Sequence, residues 1–357
     1  MKSKILTLLG SAAIAVAALL CSNPALATGK PSIIRIGVAQ VGTGNRPVVG
    51  GNFLATAAND GALEHEFEKD GIKVKYTYFA GAGPAVNEAL ANRQLDFAWQ
   101  GDLPALVAKA GGLKTKLILA AGRFSAIYVG VPADSAAKSL EDLKGKRIAL
   151  FKGTNLQLAF YNLLAKKGFK DSDFKIINMS TFDGNAALLS KDIDAQVSGN
   201  DLFPLVDRGV VRIVHSTKSE PELTRLTHVL VTEDFESQYP EIVQRLVNVL
   251  LKADVWEADE ANRSKSYLIW TKSGLNLTAW RKEYDGESLA MRDSPLFDDY
   301  YRAHYKRLLK TAIDLKLVRR SFDIDPWLDP KYLNQGLADL KVTGLWKPLD
   351  ANGKPKR

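Results

Sequence analysis

Tyr76 to Gly112 reads YTYFAGAGPAVNEALANRQLDFAWQGDLPALVAKAGG, and its punctuation decides the fold. Val74, Tyr76, Tyr78 and Phe79 are β-formers and predict a strand. Gly81, Ala82 and Gly83 turn the chain without bulk. Pro84 then opens a helix where its missing N–H costs nothing. Ala85, Val86, Ala89 and Leu90 share one helical face. Leu95 to Trp99 predicts a short strand; Gly101 breaks it, and Asp102 caps a second helix with Pro104 in its first turn. Two successive βα units put two helix N-termini beyond the strand ends of one parallel sheet, where ligands of open α/β sheets bind. Each N-terminus offers free N–H groups and about half a positive charge. Small residues at both turns would let a small oxyanion reach the backbone. The same glycines are equally compatible with turns that bind nothing.

Upstream, Ile33 to Ala39 predicts the first strand, followed by the loop VGTGNRPVVGG. Gly42 and Gly44 form a G-x-G after a strand, but Pro47 stands where a dinucleotide fingerprint needs its third glycine. A helix is expected from about Val49 to Lys69. The loop before it then faces the same edge as the two turns, so Gln40, Thr43 and Asn45 become candidate ligand contacts. Met1 to Ala27 reads as an export signal: Lys2 and Lys4, an apolar run from Ile5 to Leu20, then Ala25-Leu26-Ala27 as a small-x-small cleavage site. Leu20 precedes Cys21 where a lipobox wants a small residue, which favours cleavage after Ala27.

Downstream, Lys116 to Ala121 predicts a strand with Arg123 at its end, placed to meet an anion or to make a surface salt bridge. Ala126 to Val131 is a further strand, and the first crossing between domains falls around Ser125 to Ser135. A second βα series follows. Strand Arg147–Leu150 leads to FKGTN, where Gly153, Thr154 and Asn155 repeat the glycine-plus-cap chemistry before a helix to about Lys167. Strand Lys175–Asn178, helix Asp183–Ser190, strand Asp194–Val197, the turn Ser198-Gly199-Asn200-Asp201, helix Leu202–Arg208 and strand Val210–Val214 complete this unit. Leu226 to Val231 carries the chain back. The expected division is a signal at 1–27, a first lobe at 28–125 plus 228–357, and a second lobe at 126–227. The last part reads as helical. Ile242, Leu246, Val249, Leu250, Ala253 and Trp256 form a core stripe, and Trp280, Pro295, Phe297, Tyr300, Tyr301 and Tyr305 belong to helices that cover the first lobe.

The composition removes several function classes. Cys21 is the only cysteine, so a chain cleaved after Ala27 has no disulfide, thiolate nucleophile or cysteine-held metal. His65, His215, His228 and His304 are not at metal-ligand spacing and read as structural or solvent-facing. There is no G-x-S-x-G, Walker loop or H-E-x-x-H. Basic side chains number 48 against 40 acidic; losing Lys2 and Lys4 leaves 46, a net charge of +6. This modest basic balance is compatible with an anionic ligand or an anionic membrane surface; the charges are dispersed, and no long basic run interleaved with aromatics points to nucleic acid.

FAGAGPAVNEALANRQLDFAWQGDLPAL resembles the strand–AGP–helix–"DF"–G–helix segment of the sulfonate/nitrate/taurine class of periplasmic substrate-binding proteins of ABC transporters. SLEDLKGKRIALFKGTN is similar to the start of that family's second domain, and DSPLFDDYY through PWLDPKYL to its carboxyl-terminal helices. The resemblance implies an α/β type II periplasmic-binding fold: two doubly wound lobes, two hinge crossings and a helical C-terminal part. It implies that Gly81, Ala82, Gly83, Gly101, Asp102, Thr154 and Asn155 face the ligand; Gly153 is a candidate contact from its own turn. Many relatives carry an aromatic-acidic W-D-P run where this chain has Ser198 to Asp201, and Asn200 joins the candidate contacts there. The implied function is capture of a small organic anion, a sulfonate first, in the periplasm, by a monomer that delivers it to a permease and its ATPase without cofactor, metal or catalysis. Nitrate and taurine are the alternatives within the class. A pyrimidine-precursor synthase on the same fold would need cysteines and an active-site histidine, and a regulatory sensor would need an attached output segment.

Overall fold

The computed structural model describes residues 29–356. The export signal, Cys21 and the cleavage site therefore lie outside the described residues. No described helix is long and apolar enough to cross a membrane.

Among the described residues, ten strands form two five-stranded sheets. The first contains β1 (Ile33–Val38), β2 (Lys73–Tyr78), β3 (Phe97–Gly101), β4 (Thr115–Ser125) and β10 (Arg225–Thr232), in the order β2-β1-β3-β10-β4. The second contains β5 (Tyr128–Pro132), β6 (Arg147–Leu150), β7 (Lys175–Asn178), β8 (Ala195–Ser198) and β9 (Val211–Ser216), in the order β7-β6-β8-β5-β9. The two orders are equivalent. β1 runs parallel to β2 and β3, as β6 does to β7 and β8. One strand per sheet runs the other way: β10 in the first, β5 in the second. Each is the first strand after a crossing. A chain arriving from the other lobe enters at the cleft, where the parallel strands end, and must run back against them.

The helices of the first lobe are α1 (Phe53–Asn59), α2 (Ala62–Glu68), α3 (Ala82–Ala91) and α4 (Asp102–Ala110); those of the second are α5 (Asn155–Lys166), α6 (Thr181–Ser190) and α7 (Phe203–Asp207). The single helix expected over 49–69 is instead two. The Asn52 side chain caps α1 through Leu54 N and Ala55 N, and Gly61, at φ +62°, breaks it from α2. Val49 to Asn52 stays irregular because Gly50 lies too close to Trp270 and Trp280 to carry a side chain.

After β10 the chain is helical: α8 (Glu233–Gln238), α9 (Pro240–Ala258), α10 (Arg263–Trp270), α11 (Leu277–Tyr284), α12 (Leu289–Arg292), α13 (Asp299–Asp314) and α14 (Lys331–Asp339). Ile242, Val243, Leu246, Val247 and Leu250 of α9 enter the first lobe's core beside Tyr300, Tyr301 and Tyr305 of α13. Pro295 and Phe297 precede α13 as irregular chain, with the Pro295 carbonyl accepting from Ala120 N. The second lobe has smaller cores, one around Ile148, Phe160 and Val197 and another around Tyr128, Leu202 and Phe203.

α11 follows the return to the first lobe, yet it also holds the second. Tyr128 Oη donates to Glu283 at 2.6 Å, Lys218 Nζ donates to the Lys282 and Glu283 carbonyls, and Lys282 pairs with Asp207.

Candidate functional site

The strand ends of both sheets face a cleft of about 460 Å³. Its walls come from four sources: the loop after β1 with the turns after β2 and β3, the cleft ends of β4 and β10, the turns after β6, β7 and β8, and α11 with the chain after α12. The lobes already touch across it. A Cβ on Gly153 would lie 2.8 Å from Pro84 Cγ, and one on Gly101 would overlap the Asn155 amide.

Gln40, Thr43, Ala82, Gly83, Gly101, Thr154, Asn155 and Asn200 line this cleft. Gly81 and Gly153 stand behind the lining, at the starts of their helices. Asp102 does not face the cleft, nor is it a cap: it is the first residue of α4, buried, with its carboxylate accepting from Leu103 N at 2.6 Å and Leu226 N at 2.8 Å. It thus ties α4 to the returning strand β10. Burial raises its pKa to about 7 against those two hydrogen bonds.

Arg123 lines the cleft as well, fully buried. Its guanidinium pairs with Asp298 at 2.6 Å and donates to the Ser294 and Leu296 carbonyls. Asp298 in turn caps α13 through Tyr301 N. The pair fixes the helical part to β4 and is buried, not a surface salt bridge.

The helix starts carry fewer free donors than their sequence suggests. Ala82 N donates to the Phe79 carbonyl, Gly153 N to Gln157 Oε1, and Leu156 N to Thr154 Oγ1. The Thr154 hydroxyl itself donates to the Phe151 carbonyl at 2.7 Å. Gly83 is small for a packing reason: a Cβ there would come closer than 3.0 Å to Pro104, where α3 meets α4.

One more cation lines the cleft, and the sequence reading did not single it out. Arg225 begins β10, at the second crossing, and lines the cleft. Nη2 donates to the Ala126 carbonyl at 2.8 Å, Nη1 lies 3.5 Å from Asn155 Oδ1, and Nε has no partner among the described residues. Arg123 and Arg292 are each paired with carboxylates, Arg292 with Glu283 at 2.9 Å and Glu287 at 2.7 Å. No carboxylate of the described residues lies within ion-pair distance of Arg225. Burial pulls its pKa down, opposed by the more distant Glu283, Asp102 and Asp201. Gly199 is bare beside it, since a Cβ there would sit 3.2 Å from Nη2. A basic residue opening the crossing strand was the available signal.

Two histidines are structural. His228 Nδ1 bonds Tyr305 Oη, and His304 Nε2–H donates to the Thr224 carbonyl. Burial depresses both to about 3.

The family described as NMT1/THI5 like matches residues 66–259. The chain belongs to that family. A solved protein assigned as the periplasmic sulfonate-binding protein SsuA of a sulfonate ABC transporter, from Methylobacillus flagellatus KT, is 35% identical. The match covers 90% of this chain and 98% of that one, with a TM-score of 0.76. A protein of Bacillus subtilis (strain 168), assigned as an aliphatic sulfonates-binding protein, is 29% identical over 214 residues, covering 59% of this chain and 64% of that relative. The desulfurization enzyme DSZB shares the fold alone, at 18% identity and a TM-score of 0.65 over 86% of this chain and 99% of that one. The type II periplasmic-binding fold implied by the sequence motifs is thus the fold observed.

Proposed function

We propose that this chain is a periplasmic solute-binding protein that captures a small organic sulfonate between its lobes and delivers it to an ABC transporter permease and its ATPase. The observation that carries the reading is Arg225: a half-buried cation at the hinge, lining the cleft, without a carboxylate partner. A guanidinium beside Asn155 and Gly199 of the second lobe offers charge-assisted donors to a tetrahedral oxyanion. The sulfonate-binding relatives at 35% and 29% identity support the same class. Gln40, Thr43, Ala82, Gly83, Thr154 and Asn200 line the same cleft. Catalysis is not part of the reading: Cys21 is the sole cysteine, and His65 and His215 are not among the cleft residues. The protein acts as a monomer after export and cleavage behind Ala27.

Isothermal titration against ethanesulfonate, taurine and nitrate tests this. Each hydrogen bond to a charged group contributes roughly 1.5–3 kcal/mol, so Arg225→Ala should weaken sulfonate binding by about 10- to 100-fold. Arg225→Lys should recover only part, since an ammonium lacks the planar fork. Asn155→Ala should cost less than Arg225→Ala. Sulfonate binding by Arg225→Ala at wild-type strength removes Arg225 as the anchor, and preference for nitrate moves the chain to the other branch of the class.

A further inference from the structure

Three phenylalanines stand at the cleft edges of both sheets. Phe79 follows β2, Phe151 follows β6, and Phe182 lies in the first turn of α6. All three line the cleft and are only half-buried although the lobes are in contact. Trp99, Trp280 and Tyr284 line it as well, buried. Aromatic walls therefore come from both lobes, around a cleft of about 460 Å³. Cavities of about 300–1,000 Å³ hold drug-sized ligands. A nitrate ion, or the two-carbon chain of taurine, would leave most of this space to water against exposed aromatic surface. Such surface gains by covering an apolar group, and ring against ring adds a geometric preference.

We infer that the ligand is an organosulfonate whose far end is an aryl or similarly bulky apolar group, seated on Phe79, Phe151 and Phe182 while the sulfonate meets Arg225. This rests on the sulfonate reading above and adds the identity of the other end. Gly199, Asn200 and Asp201 fit it: they line the cleft there and put no aromatic ring beside Arg225.

The test is calorimetric titration of the exported, cleaved protein with ethanesulfonate, benzenesulfonate and naphthalene-2-sulfonate, alongside Phe151→Ala and Phe182→Ala. Wild type should bind naphthalene-2-sulfonate at least tenfold more tightly than ethanesulfonate, with benzenesulfonate between. In each variant the ratio of the two dissociation constants should shrink toward one, and melting curves report whether the variant is folded. Equal or tighter binding of ethanesulfonate by wild type overturns the aryl assignment and leaves the sulfonate reading standing. An undiminished ratio in both folded variants overturns it too. Failure of all three sulfonates to bind overturns both readings together.

Discussion

Asp254 sits inside the first lobe with neither carboxylate oxygen hydrogen-bonded among the described residues. Glu257 and Asp293 are buried with it, and Glu257 accepts from Thr56 Oγ1 and Trp270 Nε1. Burial, then the neighbouring acids, pushes Asp254 and Glu257 well up; burial raises Asp293 to about 8. An acid with a raised folded pKa keeps a proton that the unfolded chain has already released. Stability therefore falls as pH rises above the usual carboxylate range, by at most about 1.4 kcal/mol per pH unit per group. The contribution of Asp293 levels off above about pH 8. Asp254→Asn keeps the shape and removes one such proton, so its melting temperature should fall less steeply between pH 6 and pH 9 than that of wild type. Superimposable profiles would show that Asp254 does not titrate in this range. None of this was legible in the sequence, because burial of a single acid depends on what covers it. Arg225 was missed for the same reason: its value lies in lacking a partner, and only the assembled hinge shows that. Arg123 was seen, but its partner Asp298 lies 175 residues away.

α3 and α4 were the most legible elements, since glycine, proline and strand residues mark their starts within one short stretch. What the stretch could not show is why Gly83 is small. As a turn residue it would leave room for a ligand; as a helical residue facing Pro104 it sets how closely α3 and α4 pack. Gly83→Val should consequently destabilise the empty protein by about 1–3 kcal/mol through overpacking, seen as a lower urea midpoint without ligand. Pairing it with Pro104→Ala should restore part of the loss. An unchanged midpoint in Gly83→Val would return Gly83 to a role in ligand approach. The helix expected over 49–69 failed at Asp60-Gly61, where a continuous apolar pattern hid a left-handed glycine. The strand set was legible from apolar runs bounded by glycine. The reversed direction of β5 and β10 was not, because direction depends on which edge the chain enters.

Two lobes joined by two short crossings can open and close, and the present arrangement is closed enough for Gly153 and Pro84 to meet across the cleft. On the proposed reading, ligand contacts from both lobes favour that state, so a saturating sulfonate should reduce the radius of gyration measured by small-angle scattering. Gly153→Ala asks whether this approach matters. Its methyl would lie 2.8 Å from Pro84 Cγ, and residue 153 also holds φ +78°, where a side chain is strained. The two effects separate by a second change. Pro84→Ala removes the ring contact but leaves the backbone strain. Gly153→Ala should weaken sulfonate binding more than tenfold and keep the saturated protein more expanded than wild type. The double variant should regain compactness and much of the affinity while keeping the lower melting temperature, because the strain belongs to the second lobe alone. A single variant that closes as tightly as wild type would mean that the lobes meet elsewhere when ligand is bound. α11 would then be an element to examine, since its contacts with Tyr128, Lys218 and Asp207 are another means of holding the lobes together.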